Sequence, residues 1–301
     1  MHTSPEISVS VPEYIRFEGV KLPKPERRSR RFSGTSPAET VTAAGGELVK
    51  LILDFAGLKR ETYRQSSLFR RVPACLRYLG VASEEQACAK VRAQPKLAAA
   101  LVDVLLIGVT GFFRDTEVFQ SLEKSVIPQL GRSSGPVRIW SAACSNGQEL
   151  YSLAILLSLH GFCGRCELLG TDVRAAAVAR AARGVYPSEL TEGLPERWKS
   201  QLRFEGDSFE VSEALRRGCT WKVADLFKGV ELGPWDMILW RNMAVFLDDA
   251  TAAALWKALY DQLSPGGYIV TGTADYPPPG IPLRPISRCV FQRSPSHEKN
   301  R

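Results

Sequence analysis

Val137-Arg138-Ile139-Trp140-Ser141-Ala142-Ala143-Cys144-Ser145-Asn146-Gly147-Gln148-Glu149 opens on a β-branched and aromatic run, closes on small residues and passes one glycine into the apolar stretch 148–159. A strand turning so abruptly into a helix is the first half of a βαβ unit, since the next parallel strand is reached only by a crossover. Downstream the pattern repeats: the sequence predicts strands at 167–171, 221–224, 235–240 and 268–272, with helices at 175–182 and 250–263. That alternation predicts a doubly wound, Rossmann-like parallel sheet. Residues 202–211, where alternating residues flank Gly206-Asp207, predict a short hairpin.

Upstream, Gly131-Arg132-Ser133-Ser134-Gly135-Pro136 breaks the pattern and marks a domain boundary. Leu48, Leu51, Ile52 and Phe55 recur at helical spacing before Gly57. A second helical stretch from 61 must kink or restart at Pro73, which has no N–H to donate. Ser83 with Gln86 has capping-box spacing, and Pro95 stands where a helix begins. A further helix is expected from Asp115 or Thr116. The expected organisation is a basic, disordered tail over 1–44, an all-helical domain with its linker helix over 45–131, the α/β domain over 136–293, and a polar tail over 294–301.

The 301 residues carry a net charge of +7, which favours acidic partners by long-range attraction. No apolar run approaches the ~20 residues that a membrane helix needs, and the first ten residues lack the pattern of a secretory signal, so a cytoplasmic address without membrane insertion is expected. Seven cysteines are scattered at no disulfide-scaffold spacing. Cys163-Gly164-Arg165-Cys166 has no second pair to complete a zinc site, and no metal is expected.

Ligands of such sheets bind beyond the carboxyl ends of the strands. The first strand ends in the small-residue turn quoted above, whose Gly147 would let backbone approach a ligand. It has no dinucleotide fingerprint, so an uncharged ribose suits it better than a pyrophosphate. The second ends in Asp172, a candidate acceptor for ribose hydroxyls or a cap for the helix behind it. The third ends in Asp225-Leu226 and the fourth in Arg241-Asn242, a guanidinium and an amide where buried strands seldom carry them. Ahead of the sheet, Phe112-Phe113 read as core aromatics beside Arg114.

Taken together and in order, Thr110-x-Phe112-Phe113-Arg114, Ile139 to Glu149 with Tyr151-Ser152, Gly170-Thr171-Asp172, Gly184-x-Tyr186, Arg241-Asn242 and Leu263-x-Pro265-Gly266-Gly267 resemble the CheR-type chemotaxis receptor glutamate O-methyltransferases over residues 47–293. The resemblance implies a class I methyltransferase fold behind a small helical domain, with S-adenosylmethionine as methyl donor and S-adenosylhomocysteine as product. It implies that Thr110, Arg114, Gln148, Glu149, Asp172, Asp225, Leu226, Arg241 and Asn242 line the methyl-donor site, with Arg114 as the catalytic group that orients the incoming carboxylate. The implied partner is the acidic, glutamate-bearing helical region of a chemoreceptor, met by a monomer, with no nucleic acid. The basic run Arg60, Arg64, Arg70, Arg71 and Arg77 would suit that partner. Residues 202–211 would be the family's β-subdomain.

The chain departs from the family at Gly108 (usually Asn), Gln148-Glu149-Leu150 (Glu-Glu-Pro), Phe246 (Tyr) and Thr273-Ala274-Asp275, where Ser-Glu is usual. Two alternatives stay open on these residues: a regulator that binds S-adenosylmethionine without turnover, and a methyltransferase with another substrate. None of the three histidines belongs to a motif. A glutamate acceptor needs none, because a carboxyl with a pKa of about 4.3 is already ionised at neutral pH.

Overall fold

A computed structural model of the chain describes residues 45–106, 110–132, 135–162 and 164–295. The expected tail over 1–44, residues 296–301 of the other tail, Gly108 and Cys163 lie outside the described residues.

Five helices come first: α1 (Gly45–Phe55), α2 (Gln65–Phe69), α3 (Val72–Leu79), α4 (Glu84–Ala93) and α5 (Leu97–Leu106). Leu48, Val49, Ile52 and Leu53 of α1 are fully buried, so one stripe of the helix builds this packing. Pro73 restarts the chain at the first turn of α3, as its missing N–H requires. Ser83 caps α4 by accepting from the Gln86 amide, while Gln86 Oε1 reaches back to the Ala82 amide instead of Ser83.

The linker helix begins at Thr116 but is not uniform. α6 (Thr116–Ser121) widens into a π-turn over Leu122–Val126, where the Ile127 amide reaches the Leu122 carbonyl, and α7 (Ile127–Leu130) follows. Pro128 cannot donate into an α-helical ladder, and the wider turn absorbs that loss.

Then strands and helices alternate: β1 (Val137–Ala142), α8 (Gln148–Leu159), β2 (Cys166–Asp172), α9 (Ala175–Arg183), β3 (Val185–Pro187), α10 (Glu196–Lys199), β4 (Leu202–Glu205), β5 (Ser208–Val211), α11 (Glu213–Arg217), β6 (Cys219–Val223), β7 (Trp235–Trp240), α12 (Asp249–Asp261), β8 (Leu263–Thr271), β9 (Leu283–Ser287) and β10 (Val290–Arg293). The main sheet has the order β6-β2-β1-β7-β8-β10-β9. β6, β2, β1, β7 and β8 run parallel, and β10 is inserted antiparallel between β8 and β9. This is the Rossmann-like class I methyltransferase arrangement, with the order reversing beside β1.

The expected hairpin is β4 and β5, extended by β3 into a separate three-stranded sheet. β3, β9 and β10 are strands that the hydrophobic pattern does not announce. β9 is an edge strand carrying Pro285, and edges tolerate both proline and polar residues.

The main sheet divides the apolar interior. One cluster joins α8, β5 and the linker helix, and α8 is apolar nearly all round because it is covered on every side. The other joins Leu48, Ile52 and Leu101 of the helical region to Trp240, Trp256, Ile269 and Phe291 of the α/β region. A two-residue antiparallel bridge between Tyr63 and Leu247 adds polar fastening, with Arg64 N–H to the Phe246 carbonyl (2.7 Å) and Asp248 N–H to the Thr62 carbonyl (3.2 Å). Among the described residues no helix is long and apolar enough to cross a membrane.

Candidate active site

A cavity of about 980 Å³, counting its open mouth, lies beyond the carboxyl ends of four parallel strands. Ala143, Cys144 and Ser145 line it from the end of β1, Glu149 from the start of α8, and Asp172, Val173 and Arg174 from the end of β2. Ala224 to Phe227 follow β6, and Arg241, Asn242, Met243 and Phe246 follow β7. Thr110, Gly111 and Arg114 close it from the segment before α6, with Tyr63 and Leu106 from the helical region. Eight of the nine site residues expected from sequence are thereby brought together.

Gln148 is the exception. It is 3% exposed and stands behind the wall, where its Oε1 accepts a long bond from Thr110 Oγ1 (3.4 Å). Gly147 also serves a different end from the expected one. Its φ is +87°, and a Cβ there would lie 2.7 Å from the Ala181 Cβ and 2.8 Å from the Trp221 ring. The glycine allows α8, α9 and Trp221 to close up on one another rather than admitting a ligand.

Glu149 and Arg241 form the deepest polar group. Arg241 donates to Glu149 Oε2 (3.3 Å), Asp115 Oδ2 (2.8 Å), the Arg114 carbonyl (2.8 Å) and the Thr271 carbonyl (3.3 Å), and its side chain is 2% exposed. Ser141 Oγ donates to Glu149 Oε1 (3.0 Å). Burial raises the Glu149 carboxyl above the ordinary range, with Arg241 and Ser141 pulling it partly back. Asp115 stands at the N-cap of α6 yet makes no capping bond, because its carboxylate is spent on Arg241.

Phe112 and Phe113 are buried as expected, and Phe113 stacks on Trp198 at 4.0 Å between ring centres. Arg114, which follows them directly, lines the cavity. Phe113, Asp115, Ala143, Ser145 and Asn242 all have positive φ, so five of the six such non-glycine residues among those described surround this site. Non-glycine residues reach that region at a cost of about 1 kcal/mol or more, and such strain concentrates where geometry matters.

Asp225 Oδ1 accepts from the Phe227 amide (3.0 Å), folding the chain so that Leu226 and Phe227 form an apolar wall. Asp275 accepts from the amides of Asn242 and Gly272, holding the loop after β7. Burial raises the Asp275 carboxyl, and those amides lower it in part. Tyr63, Met243 and Phe227 were not singled out in sequence. Tyr63 packs edge-on against Phe227 (5.5 Å), and burial, then the Asp225 and Asp172 charges, push its hydroxyl pKa upward.

The sheet order, a cavity at the switch point, carboxylates at two strand ends and at the start of α8, and an apolar wall are those of a Rossmann-like class I methyltransferase. Glu149, Asp172 and Asp225 bring three carboxylates to the wall, and Leu226 and Phe227 give it an apolar surface.

Residues 108–278 match the family described as CheR methyltransferase, SAM binding domain, which is more than half of the chain. The chain belongs to the CheR methyltransferase family. It is 30% identical over 240 residues to a probable chemotaxis protein methyltransferase of Rhizobium etli, covering 75% of this chain and 89% of that protein. It is 28% identical over 221 residues to a chemotaxis protein methyltransferase of Listeria innocua (73% and 84% covered). It is 27% identical over 243 residues to chemotaxis protein methyltransferase 1 of Pseudomonas aeruginosa (76% and 89% covered).

Proposed function

We propose that this enzyme esterifies glutamate side chains of a chemoreceptor-like protein in the cytoplasm, acting as a monomer. In this reading residues 136–293 hold the methyl donor and residues 45–131 meet the acceptor. The supporting observation is that Arg114 shares the cavity wall with the Glu149 and Arg241 pair, which favours its orienting an incoming carboxylate.

S-adenosylmethionine supplies, when bound, an electrophilic methyl group on a positive sulfur. Glu149, backed by Ser141 and Arg241, would accept from its amino group, and Asp172 would accept from its ribose hydroxyls. Asp225 and Leu226 would receive the adenine, while Thr110, Asn242 and, behind them, Gln148 hold the walls. An acceptor carboxylate oxygen placed in line with that methyl would take it as the sulfur leaves, giving an ester and S-adenosylhomocysteine. No proton moves, so no general base is needed and Phe246 on the wall need not be a tyrosine. What the residues supply is alignment and exclusion of water, worth in favourable cases about 7 to 11 kcal/mol.

On the helical region Arg64, Arg70 and Arg77 are exposed and Arg60 and Arg71 half-buried, which supports docking of an acidic helix there. Arg64 is already partnered by Asp249 at 2.8 Å, so its share is smaller.

The test is incubation with methyl-labelled S-adenosylmethionine and a helical receptor fragment bearing glutamates. Base-labile label on those glutamates is expected, and Arg114→Ala should lower the rate about 100-fold. Base-stable label, or label on another class of molecule, overturns the reading. Tight binding of S-adenosylhomocysteine with no transfer to any receptor fragment would identify a regulator instead.

A further inference from the structure

Asp172 is 5% exposed and accepts four hydrogen bonds. Oδ1 receives the Arg174 amide (3.0 Å) and Arg174 Nε (3.0 Å), and Oδ2 receives the Ser145 amide (2.8 Å) and, at 3.4 Å, Arg174 Nη2. A carboxylate has about four lone-pair sites, so its capacity is used up. The two amides are fixed by the backbone. The two guanidinium bonds are held by a side chain that can turn.

On the far side of that guanidinium stands Asp103 of α5. Arg174 Nη1 lies 3.6 Å from Asp103 Oδ1, too far for a hydrogen bond, and neither atom has a hydrogen-bond partner among the described residues. Asp103 Oδ2 is steadied by Arg180 Nη2 (3.5 Å). The guanidinium thus lies between two carboxylates, bonded to Asp172 and to Ser145 Oγ (2.9 Å) and only near Asp103.

We infer that Arg174 sets the affinity for the methyl donor: it stoppers Asp172, and it must turn toward Asp103 before ribose hydroxyls can reach that carboxylate. The inference rests on the proposed role of Asp172 toward the ribose. Turning exchanges bonds to Asp172 and Ser145 Oγ for bonds to Asp103, so the charge stays neutralised in both positions. The arrangement lowers the fraction of molecules competent to bind, and apparent affinity falls by that fraction.

Calorimetric titration of the full chain with S-adenosylhomocysteine, and with its 2′,3′-dideoxy analogue, tests this. Arg174→Ala should bind S-adenosylhomocysteine about tenfold more tightly and the dideoxy analogue no differently from the wild type. Asp103→Asn, which removes the charge that receives the turned arginine, should bind S-adenosylhomocysteine several-fold more weakly. Unchanged or weaker binding by a cooperatively unfolding Arg174→Ala variant overturns the inference, as does equal tightening toward the dideoxy analogue. If Arg174→Ala does not fold, Asp103→Asn decides, and wild-type affinity there is fatal. Failure of every form, wild type included, to bind S-adenosylhomocysteine overturns the methyl-donor reading instead.

Discussion

Arg241 and Arg174 are two buried arginines on one cavity, and they are held differently. Arg241 spends four N–H bonds on two carboxylates and two carbonyls, so it joins the end of β7, the start of α8 and the segment before α6. Arg174 leaves Nη1 without a hydrogen bond among the described residues and divides the rest between Asp172 and Ser145 Oγ (2.9 Å). A guanidinium whose bonds reach several elements has one geometry. One bonded to a single carboxylate and a neighbouring hydroxyl, with a second carboxylate nearby, has two. The contrast teaches that burial alone does not make a charged group rigid; the distribution of its partners does.

Replacing each arginine should break the contrast most visibly. Arg241→Ala leaves Asp115 and Glu149 facing each other across a partly buried gap, and a loss of about 3 kcal/mol in urea unfolding is expected. A loss under about 1 kcal/mol would show that Arg241 does not organise this end. Arg174→Ala leaves Asp172 with two amide donors, so the expected loss is smaller, about 2 kcal/mol. Equal losses for the two variants would erase the distinction.

A pH series sharpens it. The Glu149 carboxyl is raised by burial, so the folded protein holds that proton more tightly than the unfolded chain does. The resulting stabilisation is complete below the ordinary glutamate value of about 4.3 and is lost as pH rises through the elevated folded value. Glu149→Gln should flatten this part of the profile of urea midpoint against pH; parallel profiles for wild type and variant would remove Glu149 as its source. The smallest effect belongs to a site remote from both arginines. Ser83→Ala removes the cap of α4 and should cost about 1 kcal/mol without altering S-adenosylhomocysteine binding. A change in binding would mean that the helical region is coupled to the cavity more tightly than its packing implies.

Several parts of this molecule were legible in the chain because their signals are local. β7 matches its expected bounds because a central parallel strand, buried on both faces, must be nearly all apolar. α8 matches for the same reason, and Ser83 declared its cap by spacing alone. Asp172, Asp225, Arg241 and Asn242 stood out because polar residues rarely follow buried strands. β9 and β10 did not stand out, since an edge strand with Pro285 has no apolar alternation to reveal it. Tyr63 reaches the cavity only because its backbone bridges Leu247, a contact between segments far apart in sequence.

By itself the sequence determined the α/β alternation, the helical region before it, and which strand ends carry charge, because hydrophobic period and residue type act over a few neighbouring positions. Only the tertiary structure decided that Gln148 stands behind the wall, that Asp115 leaves its cap for Arg241, and that Asp172 is filled by Arg174. Those outcomes depend on which buried groups meet across the fold. A buried charge bonds to whatever partner lies within about 3 Å, and no local pattern encodes that distance.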